Sequence, residues 1–101
     1  MNKAAKSGVR PFDAANYLNT EADIIAYLDT VLEHDDPALL AAALGDIARA
    51  RGMTSLAQAT GLSRESLYKS LSGERIPSTD TLFKVIHALG LKLSVSVREA
   101  S

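Results

Sequence analysis

"TSLAQATGLSRESLYKSLSG", residues 54–73, holds two short amphipathic patterns on either side of a single glycine. Leu56 and Ala57 belong to the first, Leu67 and Leu71 to the second, and Gly61-Leu62-Ser63 separates them. Gly61 supplies the positive φ that a tight turn requires, and Ala57 is small enough to let a second helix cross close by. Leu56, Leu62, Leu67 and Leu71 then lock both helices into a core. Arg64, Glu65, Tyr68 and Lys69 are left facing outward, with Ser66 at the margin. The pattern predicts one short helix pushed forward by another.

Outward from this pair, the helical signals continue in both directions. Asp36-Pro37 is an N-cap followed by proline at the first helical position, where its missing N–H costs nothing. The helix it opens runs to Arg51 with Leu40, Ala43, Leu44 and Ile47 inward, and Gly52 ends it. Thr54 is the expected cap of the next helix, and Ser63 of the one after. Ser78 or Thr79 starts a further helix with Leu82, Val85, Ile86 and Leu89 inward, closed by Gly90. On the N-terminal side, Thr20 and Asp23 approximate a capping box. Ile24, Ile25, Leu28, Val31 and Leu32 follow at helical spacing, ending near Glu33 or His34. "DAANYL" from Asp13 reads as one or two further turns, and residues 1–11 as a loose tail.

The last segment changes period. "LKLSVSVR" sets Leu91, Leu93, Val95 and Val97 against Lys92, Ser94, Ser96 and Arg98, which predicts a half-buried strand. Its partner is either "VRPF" near the N-terminus, with Pro11 confining that piece to an edge, or the same strand of a second subunit. A homodimer through Leu93, Val95 and Val97 is the preferred solution.

Composition bounds what such a chain does. Its 101 residues fit one domain, 47% hydrophobic, with no tryptophan and five Phe or Tyr, so the core must be aliphatic. No cysteine is present, which removes disulfides and thiolate metal sites and fits a reducing compartment. His34 and His87 are too few and too far apart for an all-histidine metal site, so neither metal nor cofactor is expected. The longest apolar run, "PALLAAAL", falls short of the roughly 20 residues of a membrane span. The start, "MNKAAKSGVRPF", lacks an apolar leader core. A cytoplasmic protein with no membrane partner is expected.

The net charge of −1 hides a polarity along the chain. From Asp13 to Asp46 there are eight acidic residues and no lysine or arginine; from Ile47 to Arg98 there are eight basic residues against three acidic ones. Such asymmetry points to two different partners. Solvated helix faces are the plainer account of the same charges.

The basic half carries the chemistry of DNA reading. Arginine or lysine pairs with guanine at O6 and N7, and glutamate accepts from the cytosine amino group. This makes Arg64, Glu65 and Lys69 the candidate base-reading residues. Thr54, Ser55, Ser63, Ser66, Tyr68 and Arg75 are candidates for phosphate and groove contacts.

The stretch "LAQATGLSRESLYKSLSGERIPSTDTLFKVIHALGL" resembles the helix-turn-helix of the Cro-type phage-repressor (XRE) family. It keeps the L-A-x-x-x-G-L-S core, a glycine after the second helix, Pro77, and the helix that follows. With "ALLAAALGDIARARGM" before it, the resemblance covers residues 38–91. Within that family the chain is most similar to addiction-module antidotes, the HigA-like antitoxins encoded beside a RelE/HigB-like toxin. The cues are "FDAANYL", "EADIIAYL", "DPALLAAALGDIARARGM" and "GLSRESLYKSLSGE". Two positions depart from the family pattern. Met53 stands where a phosphate-bracing glutamine is common, and Leu71 where an acid often ends the second helix; Thr54, Ser55 or Ser63 would take over the phosphate role.

The resemblance implies an all-α, phage-repressor-like five-helix domain with an N-terminal helical extension and a short C-terminal β-strand. The expected organisation is a flexible tail (1–11), an acidic helical extension (12–35), a helix-turn-helix DNA-binding domain (36–91), and a C-terminal strand and tail (92–101). The implied function is that of a type II antitoxin: a dimeric autorepressor that binds the operator of its own operon and neutralises a RelE/HigB-like toxin. RelE-like toxins are basic, so Glu21, Asp23, Asp29, Glu33, Asp35 and Asp36 are the toxin-binding candidates. Two alternatives are a protein-interaction adaptor with a vestigial DNA surface and a stand-alone repressor without a toxin. An enzyme is not expected. Ser66-x-x-Lys69 matches the S-x-x-K pattern of acyl-transfer serine enzymes, but the chain has neither S-D-N nor K-T-G. Asp35-Asp36 lacks the further oxygen ligands of a hard-cation site.

Overall fold

Thr20 opens the first helix as its cap chemistry requires. In a computed structural model describing residues 18–99, its hydroxyl accepts from the Asp23 N–H at 3.1 Å, and the Asp23 carboxylate accepts in return from the Thr20 N–H at 3.1 Å. Helix α1, Glu21–Leu32, follows from this reciprocal box. Asp35, with φ +54°, turns the chain. Asp36 Oδ1 then accepts from the N–H groups of Ala38 and Leu39. Pro37 is the first residue of α2, Pro37–Arg51, which carries Arg49 and Arg51 at its negative end.

Three shorter helices complete the fold. These are α3, Met53–Thr60, α4, Arg64–Ser70, and α5, Thr79–Ala88. The Ser78 hydroxyl caps α5 by accepting from the Thr81 N–H at 3.1 Å. The five helices enclose one aliphatic core. Ile24 of α1, Leu44 and Ile47 of α2, Leu56 of α3, Leu67 of α4 and Val85 of α5 all belong to it, and Leu18 joins it from before α1. Among the described residues no helix is long and apolar enough to cross a membrane.

Four details differ from the sequence reading. Thr54 does not cap α3. Gly52, with φ +109° and ψ +114°, both ends α2 and precedes α3, so Met53 begins the helix and Thr54 sits exposed in its first turn. Ile25 and Leu32 face solvent rather than the core. The inner arc of α1 is narrow and is already filled by Ile24 and Val31, with Tyr27 and Leu28 at its edge. The third difference is the C-terminus: residues 91–99 form no strand, and all five elements among the described residues are helical. A strand needs a ladder partner, and none of the described segments of this chain offers one. The fourth is a bond that the sequence reading lacks: the Tyr27 hydroxyl donates to Asp46 Oδ2 at 2.8 Å. The expected tail, the "DAANYL" turns and any pairing with "VRPF" lie outside the described residues, apart from Leu18.

Asp46 is the one buried charged side chain among the described residues. It takes the Tyr27 hydroxyl from α1 and the Arg49 guanidinium from its own helix. A carboxylate held in an aliphatic interior needs such donors. Tyr27→Phe keeps the ring and deletes one donor. It is expected to lower the unfolding free energy by about 1.5 kcal/mol, the scale of a hydrogen bond to a charged group. Urea denaturation measures this directly, and an unchanged midpoint would show that the bond contributes nothing to stability.

Candidate functional site

The turn between α3 and α4 is built from three residues. The Gly61 N–H closes α3 on the Ala57 carbonyl at 2.9 Å, with φ +78° at Gly61 itself. The Thr60 hydroxyl donates to the Leu56 carbonyl at 2.9 Å and accepts from the Leu62 N–H at 3.2 Å, bracing the turn from inside. Ser63 then caps α4, its hydroxyl oxygen accepting from the Ser66 N–H at 3.0 Å. The Ser63 O–H remains a donor for an outside acceptor.

Helix α4 is anchored by one face and open on the other. Leu67 is fully buried, and Leu71, which caps the helix, is buried too. Arg64, Glu65, Ser66, Tyr68 and Lys69 are all exposed. Their spacing joins them in two pairs. Lys69 Nζ lies 3.6 Å from Glu65 Oε2, and the Arg64 guanidinium stands 5.9 Å from the centre of the Tyr68 ring. Exposed i,i+4 ion pairs are worth about 0.3–0.5 kcal/mol, and an exposed cation–π contact about 0.5–1 kcal/mol. These contacts hold the four side chains in order at little cost to their release.

The phosphate candidates are spread over three elements. Ser63 and Ser66 are on α4 with Tyr68, Thr54 and Ser55 are in the first turn of α3, and Arg75 is exposed in the loop between α4 and α5. Met53 is buried in the core, so it offers nothing to a phosphate.

The acidic candidates separate by what they already do. Asp23 and Asp36 serve as helix caps. Asp35 Oδ1 accepts from Arg98 at 3.0 Å, tying the C-terminal segment to the corner between α1 and α2. Glu21, Asp29 and Glu33 are exposed and make no ion pair among the described residues. No group of three or more His, Cys, Asp or Glu among the described residues is placed to hold a metal ion. Leu93, Val95 and Val97 are exposed and pair with no strand among the described residues.

One residue behind α4 has no role in the sequence reading, although the sequence carries a signal for it. Gly45 lies in α2 where a Cβ would come within 2.4 Å of the Leu71 carbonyl oxygen, so α2 and the end of α4 meet backbone to backbone. An isolated glycine inside "ALLAAALGDIARA" is the signal that points to such an approach. The Tyr27–Asp46 bond has no comparable local signal, since 19 residues separate its partners.

A family model described as "Probable addiction module antidote protein" matches residues 8–97. The chain belongs to this antidote family. An uncharacterised protein of Haemophilus influenzae is 46% identical over 87 residues, which cover 86% of this chain and 90% of that one. No solved structure matches the chain. Membership in an antidote family implies a toxin as partner. The antidote-family match spans both the acidic helix α1 and the exposed face of α4.

Proposed function

We propose that this protein is the antitoxin of a type II toxin–antitoxin module, a dimeric helix-turn-helix repressor of its own operon that also neutralises a RelE/HigB-like toxin. The observation that carries the DNA reading is the open face of α4. A seven-residue helix held by a fully buried leucine displays Arg64, Glu65, Tyr68 and Lys69 together. In the proposed complex α4 lies in the major groove with α3 crossing behind it, so that the N-terminal residues of α4 meet base edges. Arg64 and Lys69 read guanine, and Glu65 accepts from cytosine. Thr54, Ser55, Ser63, Ser66, Tyr68 and Arg75 hold the flanking backbone. The protein acts by stoichiometric binding rather than by turnover.

Fluorescence anisotropy on its own promoter and on a scrambled duplex, at two salt concentrations, tests this reading. Preference for the promoter that weakens with salt is the expected result, because neutralised phosphates release counterions. Equal, feeble binding to both duplexes would leave an adaptor whose work lies on the acidic side.

The toxin-facing role rests on family membership and on the acidic charge of α1. Glu21, Asp29 and Glu33 make no ion pair among the described residues and face outward toward a basic partner, and Asp35 becomes available when Arg98 is displaced. The caps Asp23 and Asp36 add to the field. Asp29→Lys with Glu33→Lys is expected to slow capture of a basic toxin about tenfold or more at low salt, since complementary fields act mainly on association. Fold stability should hold, because lysine near the C-terminus of α1 suits the helix dipole. Stopped-flow association with the co-encoded basic protein checks the rate; an unchanged rate would remove these acids from the docking surface.

A further inference from the structure

Residues 91–99 form no ladder with the other described residues, and beyond Leu91 their alternation is not spent on the core. Leu91 packs against the core, whereas Leu93, Val95 and Val97 are 44%, 97% and 93% exposed. On the other side, Arg98 is tied to Asp35. A segment that alternates apolar and polar residues and forms no ladder of its own among the described residues is a template for strand addition.

We infer that this segment pairs antiparallel with the same segment of a second copy, with the twofold axis passing between the two Ser94 residues. The inference deepens the reading of the protein as a dimer and rests on it. Its ground is the register. In an antiparallel self-pair the numbers of facing residues have a constant sum, and an odd sum sets every apolar residue against a polar one. Among even sums, 190 places Lys92 opposite Arg98 on both sides of the axis. Like charges directly opposed are unfavourable. A sum of 192 faces Leu93 with Glu99 and Leu91 with Ser101, apolar against polar. A sum of 186 faces Val97 with Leu89, which is buried as the cap of α5.

A sum of 188 alone among these pairs all four apolar residues with one another inside residues 91–97. Leu93 faces Val95 and Leu91 faces Val97, each twice, and Lys92 faces Ser96. Arg98 falls opposite Gly90, which has no side chain, so its ion pair with Asp35 is undisturbed. A two-stranded ribbon alone is marginal in water. Here Leu91 joins its apolar side to the core of each copy.

The chain has no cysteine, so single-cysteine variants report the register cleanly. Ser94→Cys, Val95→Cys and Ser96→Cys are made in the full chain and oxidised at micromolar concentration with copper phenanthroline. Facing residues in an antiparallel pair lie within the span of a disulfide. Residues 96 and 96′ in the inferred register are four positions apart along the ribbon, beyond its reach. Ser94→Cys is expected to cross-link at least tenfold faster than the other two. Fastest cross-linking at 95 or 96 overturns the register. No cross-linking at any of the three, with a dimer in sedimentation equilibrium, places the interface elsewhere. A monomer in sedimentation overturns the pairing itself. Promoter anisotropy on the unmodified chain reads the DNA function separately, so promoter binding with failed cross-linking removes only the inferred ribbon.

Discussion

Replacing Arg64 and Lys69 together by alanine is expected to weaken binding to the promoter by about 2–6 kcal/mol, a loss of roughly 30-fold or more. Each side chain is worth about 1–3 kcal/mol if it reads a base edge bidentately. Neither residue is buried, and their contacts within the protein, to Tyr68 and Glu65, are exposed ones. Thermal stability should therefore stay within about 0.5 kcal/mol of the parent, the range for surface substitutions away from special features. The pattern of loss distinguishes two roles. If both residues read bases, affinity for the promoter falls toward that for scrambled DNA, and the preference disappears. If Lys69 instead neutralises a phosphate, affinity falls on both duplexes and the salt slope drops by about one. Unchanged promoter affinity in the double variant would mean that α4 is not the reading helix.

The second large effect is one of packing. Gly45→Ala is expected to destabilise the fold by about 2–3 kcal/mol, with part of that loss appearing as weaker DNA binding. On propensity alone the substitution should stabilise α2, since alanine is better than glycine in a helix interior by about 1 kcal/mol. The added Cβ, however, would sit 2.4 Å from a backbone carbonyl, that of Leu71. A backbone group cannot rotate away as a side chain can, so α2 and α4 must separate. Forcing atoms into a filled interior costs about 1–3 kcal/mol, and this contact belongs at the upper end. In a domain of this size each kilocalorie moves Tm by about 4–8 °C. The comparison variant is Ala50→Gly, at an exposed position of the same helix. It should lose only the propensity difference. A Gly45→Ala protein that melts higher than the parent would show that the two backbones do not meet as described.

What was legible in the sequence was local. Thr20 with Asp23, Asp36 before Pro37, Ser63 and Ser78 all cap helices through bonds to backbone groups two or three residues away. Such chemistry is contained in a few consecutive letters, so the starts of α1, α2, α4 and α5 could be read directly. The start of α3 could not. Gly52 holds the N-cap position there without any side-chain bond to the helix, and a polar threonine one residue inside the helix imitates a cap. The outward placing of Ile25 and Leu32 depends on how wide an arc α1 turns toward its neighbours, which periodicity alone does not measure. Gly45 opposite Leu71 and Tyr27 on Asp46 are meetings between distant parts of the chain. The exposed face of α4 was visible because a buried leucine among charged residues marks both its sides.

Ile24 shares its core with Leu67, and Leu18 lies in the same interior before α1 begins. The acidic helix is therefore no appendage hung on a DNA-binding head. A protein engineer who removed it to obtain a minimal repressor would open the core that also holds Leu67, and one who excised it as a toxin-binding peptide would carry off side chains of that core. The two halves differ in charge, yet they are one body with a single interior.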